Sequence, residues 1–120
     1  MSPPFQVEPD VGGFIEVPAA GTLSRTLHAD DDVRVVVFGF AEGEVLSEHT
    51  ASRPAVIQVI HGELELTLDG QVVAAGPGAW IHMTAGLRHA VRAVTPSVML
   101  LTLLRQAAPD AEVTGPARRS

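Results

Sequence analysis

The chain has 120 residues, enough for one hydrophobic core but not for two. Its formal net charge is −6 and its basic residues are arginines scattered along the sequence, so nucleic acid and anionic membrane surfaces are poor partners. Cysteine, lysine and tyrosine are absent, which excludes disulfides, thiolate ligands, Schiff bases and phenolic acid chemistry. Histidines and carboxylates remain for metal or acid–base work.

The chain divides into an arm, a β-rich domain and a tail. Residues 1–22 are rich in proline, glycine and acid and predict an N-terminal arm with a short strand at residues 13–17. Residues 23–106 predict a barrel, because short apolar runs alternate with Gly, Pro and Asp turns. Residues 107–120 are small and polar and predict a flexible tail. The predicted strands cover residues 32–40, 54–60, 63–68, 71–73, 79–83, 89–94 and 97–104.

The strongest local pattern is a hairpin. Residues 63–68 (ELELTL) alternate between polar and apolar side chains, and Asp69 and Gly70 follow before the next apolar run. An Asp-Gly pair favours a type I′ turn, because both positions need positive φ. No segment has helical periodicity, so the sequence predicts an all-β sandwich or barrel.

Two segments about forty residues apart carry the functional information. In residues 43–62 (GEVLSEHTASRPAVIQVIHG), Gly43 is followed after five residues by His49. In residues 78–89 (GAWIHMTAGLRH), Gly78 is followed by Gly86 and His89. Each histidine stands where a β-rich run meets a turn.

Together these segments resemble the two motifs of the cupin superfamily. The spacing of the first motif is kept up to Gly62, but Ala51 and Ala55 stand where the metal-binding pattern has a second histidine and an acid or amide. In the second motif Thr84 replaces a proline. The resemblance covers residues 23–104 and implies a double-stranded β-helix, or jelly-roll barrel, that forms a homodimer and has a pocket between its two sheets.

The resemblance also implies which residues belong to the pocket. His49 and His89 are the surviving metal-ligand positions, and His82 is the candidate for a third ligand because its strand leads into the loop before His89. The guanidinium groups of Arg53 and Arg88, which flank the motif histidines, are candidates to hold a carboxylate or phosphate. Ile57 completes the predicted ligand pocket.

This reduced ligand set leaves four functions open, of which metal-free catalysis with His49 or His89 as general base and a regulatory or structural dimer are the less favoured. The other two are as follows. The first is a small-molecule-binding protein whose metal affinity is weak or absent. The alternative is an enzyme of the dioxygenase, isomerase, lyase or cyclase type, in which His49, His89 and a third ligand such as His82 hold a divalent ion of Fe, Mn, Ni, Cu or Zn. The chain begins without a secretory pattern and has no apolar run long enough to span a membrane, so a cytoplasmic location is expected.

Overall fold

The structure, a computed structural model, describes residues 4–105, and its regular secondary structure is almost entirely β-strand. A short 3₁₀ helix at Val11–Gly13 precedes the first strand. The nine strands are β1 (Thr22–Ala29), β2 (Val33–Phe40), β3 (Val45–His49), β4 (Ala55–His61), β5 (Leu64–Leu68), β6 (Gln71–Ala75), β7 (Trp80–Met83), β8 (His89–Ala93) and β9 (Ser97–Leu104).

The strands form two antiparallel sheets that pack face to face. The first sheet has the order β1-β2-β9-β4-β7, and the second has the order β3-β8-β5-β6. Neighbours in each sheet are therefore mostly distant in sequence, which is the connectivity of a jelly roll with an additional edge strand, β1. The all-β jelly-roll prediction is confirmed. Among residues 4–105 no helix is long and apolar enough to cross a lipid bilayer.

The core lies between the sheets and consists of aliphatic side chains with a few larger residues. Strand β4 shows why the sequence folds in this way, because Ala55, Ile57 and Val59 alternate with partly exposed residues and are at most 2% exposed. Strands β5 and β8 contribute Leu64, Leu66, Val91 and Ala93 in the same alternating manner. Each fully buried Val, Leu or Ile stabilises the fold by about 1.5–3 kcal/mol.

The N-terminal arm covers part of the outer face of the first sheet. Ile15 packs with Val37 and Val98 in a second apolar cluster on that face. Arg25 lies 4.2 Å from the centre of the Phe14 ring and donates to the Phe14 carbonyl at 2.7 Å. The strand predicted at residues 13–17 is wrong, because Gly13 ends the 3₁₀ helix and residues 14–17 belong to no strand. The predicted tail, residues 107–120, lies outside the described residues.

Two turns have the positive φ values that their Asp and Gly residues predict. Asp69 and Gly70 have φ values of 50° and 85°, as a type I′ hairpin between β5 and β6 requires. At Gly62, φ is 83°, and a Cβ there would overlap Ser97 and the Pro96 carbonyl. Only glycine fits that position. Gly62, at the end of the first motif, therefore allows the chain after β4 to lie directly against Pro96 and Ser97 at the start of β9.

Candidate functional site

Two loops lie at one end of the barrel, which we call the loop end. Residues 50–54 connect β3 to β4, and residues 84–88 connect β7 to β8, so both loops pass from one sheet to the other. The amide of Gly86 donates to the Ala51 carbonyl at 2.8 Å and joins the two loops. His49 is the last residue of β3 and His89 is the first residue of β8, so both stand at this end.

His49 and His89 are brought side by side. They are direct partners across the β3–β8 ladder, and their ring centres lie 4.2 Å apart with the planes tilted by 58°. A β-bulge precedes this pair, because three steps along β3 from Leu46 to His49 match only two steps along β8 from Val91 to His89. The bulge places His49 on the same face as Leu46, which a regular alternation would not allow.

The ring nitrogens of both histidines have defined roles. Nδ1 of His49 lies 2.7 Å from the Ser47 carbonyl oxygen, and Nδ1 of His89 lies 3.0 Å from the Leu87 carbonyl oxygen. A carbonyl oxygen only accepts, so Nδ1 carries the proton in both rings. In the neutral imidazoles each Nε2 is therefore left with its lone pair, as in the histidines that ligate metals or accept hydrogen bonds.

The surroundings of the pair are apolar and partly open. His89 is only 6% exposed and lies opposite Leu68 of β5, whereas His49 is exposed. Leu46 and Leu68 are half-buried and pack against the core, and Leu103 at the end of β9 does the same from the facing sheet. Solvent thus reaches the loop end, while the middle of the barrel is closed.

Three further positions singled out in the sequence lie at this end or next to it. Ala55 begins β4, is 1% exposed, and lies between Leu103 and Met83 on the inner face of the first sheet. Ile57 lies two residues deeper, at 1% exposure, and belongs to the closed core. Ala51 lies in the loop between β3 and β4.

The two arginines have partners of their own. Nε of Arg53 donates to the Leu104 carbonyl at 2.9 Å and fastens the β3–β4 loop to the end of β9. Arg88 is directed to surface carboxylates, with nitrogen–oxygen distances of 3.6 Å to Glu48 and 3.4 Å to Asp69. These contacts favour a role in holding loops over the predicted role in holding an anion.

His82 is not brought to the histidine pair. On β7, Ile81 and Met83 pack toward the core, whereas Trp80 and His82 lie on the outer face with their ring centres 6.4 Å apart. Trp80 is 62% exposed, so it does not fill the core. The alternation along β7 therefore turns the proposed third ligand away from the barrel interior.

These residues do not fit a resident metal ion. A first-row metal in a protein generally has at least three protein ligands, with waters or substrate in the remaining positions. The loop end offers two imidazoles, and within residues 4–105 no three His, Cys, Asp or Glu side chains converge on one point. The arrangement accepts hydrogen bonds or protons, and it lacks the set of donors that a stable metal centre needs.

Sequence reasoning missed a second cluster, on the outer face of the first sheet. His28 contacts the Asp30 carboxylate at 2.7 Å through Nε2 and the side-chain amide oxygen Oε1 of Gln6 at 2.8 Å through Nδ1. The hydrogen bond from His28 is the main reason that the pKa of Asp30 is lowered to about 2, and the amides of Val33 and Asp32 add to the effect. An open groove of about 1000 Å³ lies beside this cluster, between the arm and β1.

Comparisons with known proteins agree with the fold and the motifs. The sequence profile of the cupin domain matches residues 36–104. A cupin superfamily protein from Desulfitobacterium hafniense has a similar structure, with 27% identity and a TM-score of 0.77 over 87% of this chain and 94% of that one. A conserved Streptococcus pyogenes protein of unknown function has 26% identity and a TM-score of 0.76 over 90% of this chain and 93% of that one.

A more distant structure shares the fold alone. KdgF from a Halomonas species is 22% identical with a TM-score of 0.67 over 76% of this chain and 84% of that one. No match was found among curated proteins. Because the domain profile spans more than half of the sequence and ends with β9, the chain belongs to the cupin domain family.

Proposed function

We propose that this cupin binds a small molecule at the loop end of its barrel, with His49 and His89 as the polar contacts and without a resident metal. One observation carries the proposal. His89 is only 6% exposed, its Nδ1 contacts the Leu87 carbonyl oxygen so that Nε2 keeps its lone pair, and the neighbouring Leu68 is half-buried. Pockets that combine apolar walls with a few placed polar atoms are typical of small-molecule sites.

The experiment is a thermal-shift screen against a small-molecule library with matched histidine variants. A ligand present at about 100 times its Kd stabilises the native state by about 2.7 kcal/mol. Ligands should raise the Tm of the wild type and of His82→Ala, which removes an exposed histidine from the outer face. They should not raise the Tm of the double variant His49→Ala/His89→Ala.

The metal-dependent enzyme remains the competing outcome of the same screen. If divalent ions raised the Tm of the wild type as strongly as any organic ligand and lost this effect in the double variant, the proposal would be wrong. If organic ligands stabilised the double variant as well as the wild type, the site itself would be misplaced.

The proposal includes a cytoplasmic homodimer. Large apolar side chains support the dimer, since Phe5, Val7 and Trp80 are 70%, 71% and 62% exposed in the single chain. Light scattering after gel filtration should give twice the chain mass of 12.6 kDa, and Trp80→Ser should weaken association. A mass of one chain at micromolar concentration would contradict this part of the proposal.

A further inference from the structure

Among residues 4–105 the Nε2 atoms of the histidine pair lack a hydrogen-bond donor, and this indicates what kind of ligand the pair takes. In both neutral rings the Nδ1 proton is donated to a backbone carbonyl, so the remaining ring nitrogen accepts and does not donate. Within the described part of the chain, neither Nε2 receives a hydrogen bond from a protein group. His49 is exposed, so its Nε2 can bind water, whereas His89 is only 6% exposed. A buried acceptor without a partner is destabilising, so a ligand that supplies a donor to His89 gains an advantage.

The charges around the pair disfavour an anion. Arg53 donates to carbonyls of β9, and Arg88 turns outward to Glu48 and Asp69. The loop end therefore has no cation directed at the two imidazoles from its flanking arginines. A carboxylate or phosphate oxygen placed there would meet a second lone pair instead of a proton.

The walls define the rest of the ligand. Leu46 and Leu68 on the second sheet and Leu103 at the corresponding end of the first sheet are half-buried and present apolar surface at the loop end. Ala55 and Met83 are at most 2% exposed and belong to the closed core. None of these side chains donates a conventional hydrogen bond, so the body of the ligand is expected to be apolar. Specificity then depends on the one group that reaches the histidines.

We infer that the pocket selects an apolar ligand that carries a hydroxyl or amino group, which donates to Nε2 of His49 or His89, and that it discriminates against carboxylates and phosphates. This inference rests on the proposed function and names its substrate class. His49 and His89 are specificity-determining residues in this account. A site built to pair with a donor rejects analogues that lack it, because its own polar atom is left unpaired.

The first test concerns the protonation of the rings and needs no ligand. Long-range ¹H–¹⁵N spectra at about pH 8, above the ordinary imidazole pKa, should show the Nδ1–H form for both residues. Signals are assigned with His49→Ala and His89→Ala. If either ring carries its proton on Nε2, that ring is a donor and the inference is overturned.

The second test compares benzyl alcohol, benzoate and toluene, which share one aromatic body. Titrations followed by the histidine signals should give an affinity for benzyl alcohol at least about tenfold above those for benzoate and toluene, as one lost hydrogen bond predicts. Benzoate binding as tightly as the alcohol would overturn the inference and leave the proposed function standing. If no probe perturbs either histidine at millimolar concentration, the inference also fails, and the library screen decides the function separately.

Discussion

Ala51 and Ala55 occupy two positions at which metal-binding cupins have ligands. Replacing both residues with ligands tests whether the backbone still places these positions around one point with His49 and His89. In the variant Ala51→His/Ala55→Glu, four donors should converge at the loop end together with His49 and His89. Four ligands are sufficient for a structural or catalytic ion. The variant is therefore expected to bind a divalent metal more tightly than the wild type.

The size of the effect follows from the burial of Ala55, which is 1% exposed. A carboxylate at that position with no cation is expected to lower the free energy of unfolding by about 2–4 kcal/mol. Metal at about 100 times its Kd should restore about 2.7 kcal/mol. For a domain of this size that corresponds to a rise in Tm of about 10 °C.

The assay is differential scanning calorimetry of both proteins with Mn²⁺ or Zn²⁺ and with a chelator. The control is the same double variant carrying His89→Ala, which should lose most of the metal response. If metal stabilises the wild type as much as the variant, the two-histidine site already binds metal and our reasoning is refuted. If the variant folds but shows no response, the four positions do not converge.

Two further predictions concern the fold and its pH dependence. Gly62→Ala should lower the free energy of unfolding by about 2–5 kcal/mol, because the added Cβ overlaps Ser97 and the backbone has positive φ. Gly70→Ala has the same backbone strain but its Cβ meets open space, so it should lower the free energy of unfolding by only about 1–2 kcal/mol. Urea titrations measure both values, and equal values would contradict this account of Gly62. Because the pKa of Asp30 falls from 3.8 to about 2 on folding, chiefly through the hydrogen bond from His28, its contribution to stability is complete above about pH 4 and is lost as the pH falls toward 2. Asp30→Asn should therefore flatten the dependence of the unfolding free energy on pH in that range, and an unchanged slope would contradict the assigned cause.

Sequence alone predicted the fold because several independent signals agreed. Residues 63–68 alternate, Asp69 and Gly70 supply the turn, and the two motifs have the internal spacing of a cupin. These signals depend on local backbone requirements, such as positive φ at Gly62, which a single sequence reveals. The core residues of β4 and β5 follow from the same alternation.

The details of the site were harder to predict, because they depend on irregularities of the ladder. Counting along β3 places Val45 on the same face as His49, but the bulge after Leu46 reverses the alternation and leaves Val45 52% exposed. The inward or outward direction of β7 was undetermined in the sequence, and so was the orientation of His82. The partners of Arg53 are backbone carbonyls of β9, which no side-chain pattern reveals.

We propose that the barrel keeps the cupin geometry at His49 and His89 but has too few ligands to retain a metal. Elemental analysis of untagged protein, purified without chelator, tests this claim most directly. We predict well below one transition-metal ion per chain, about a tenth or less, and no change in the His89→Ala variant. About one ion per chain in the wild type, lost in His89→Ala, would contradict the claim.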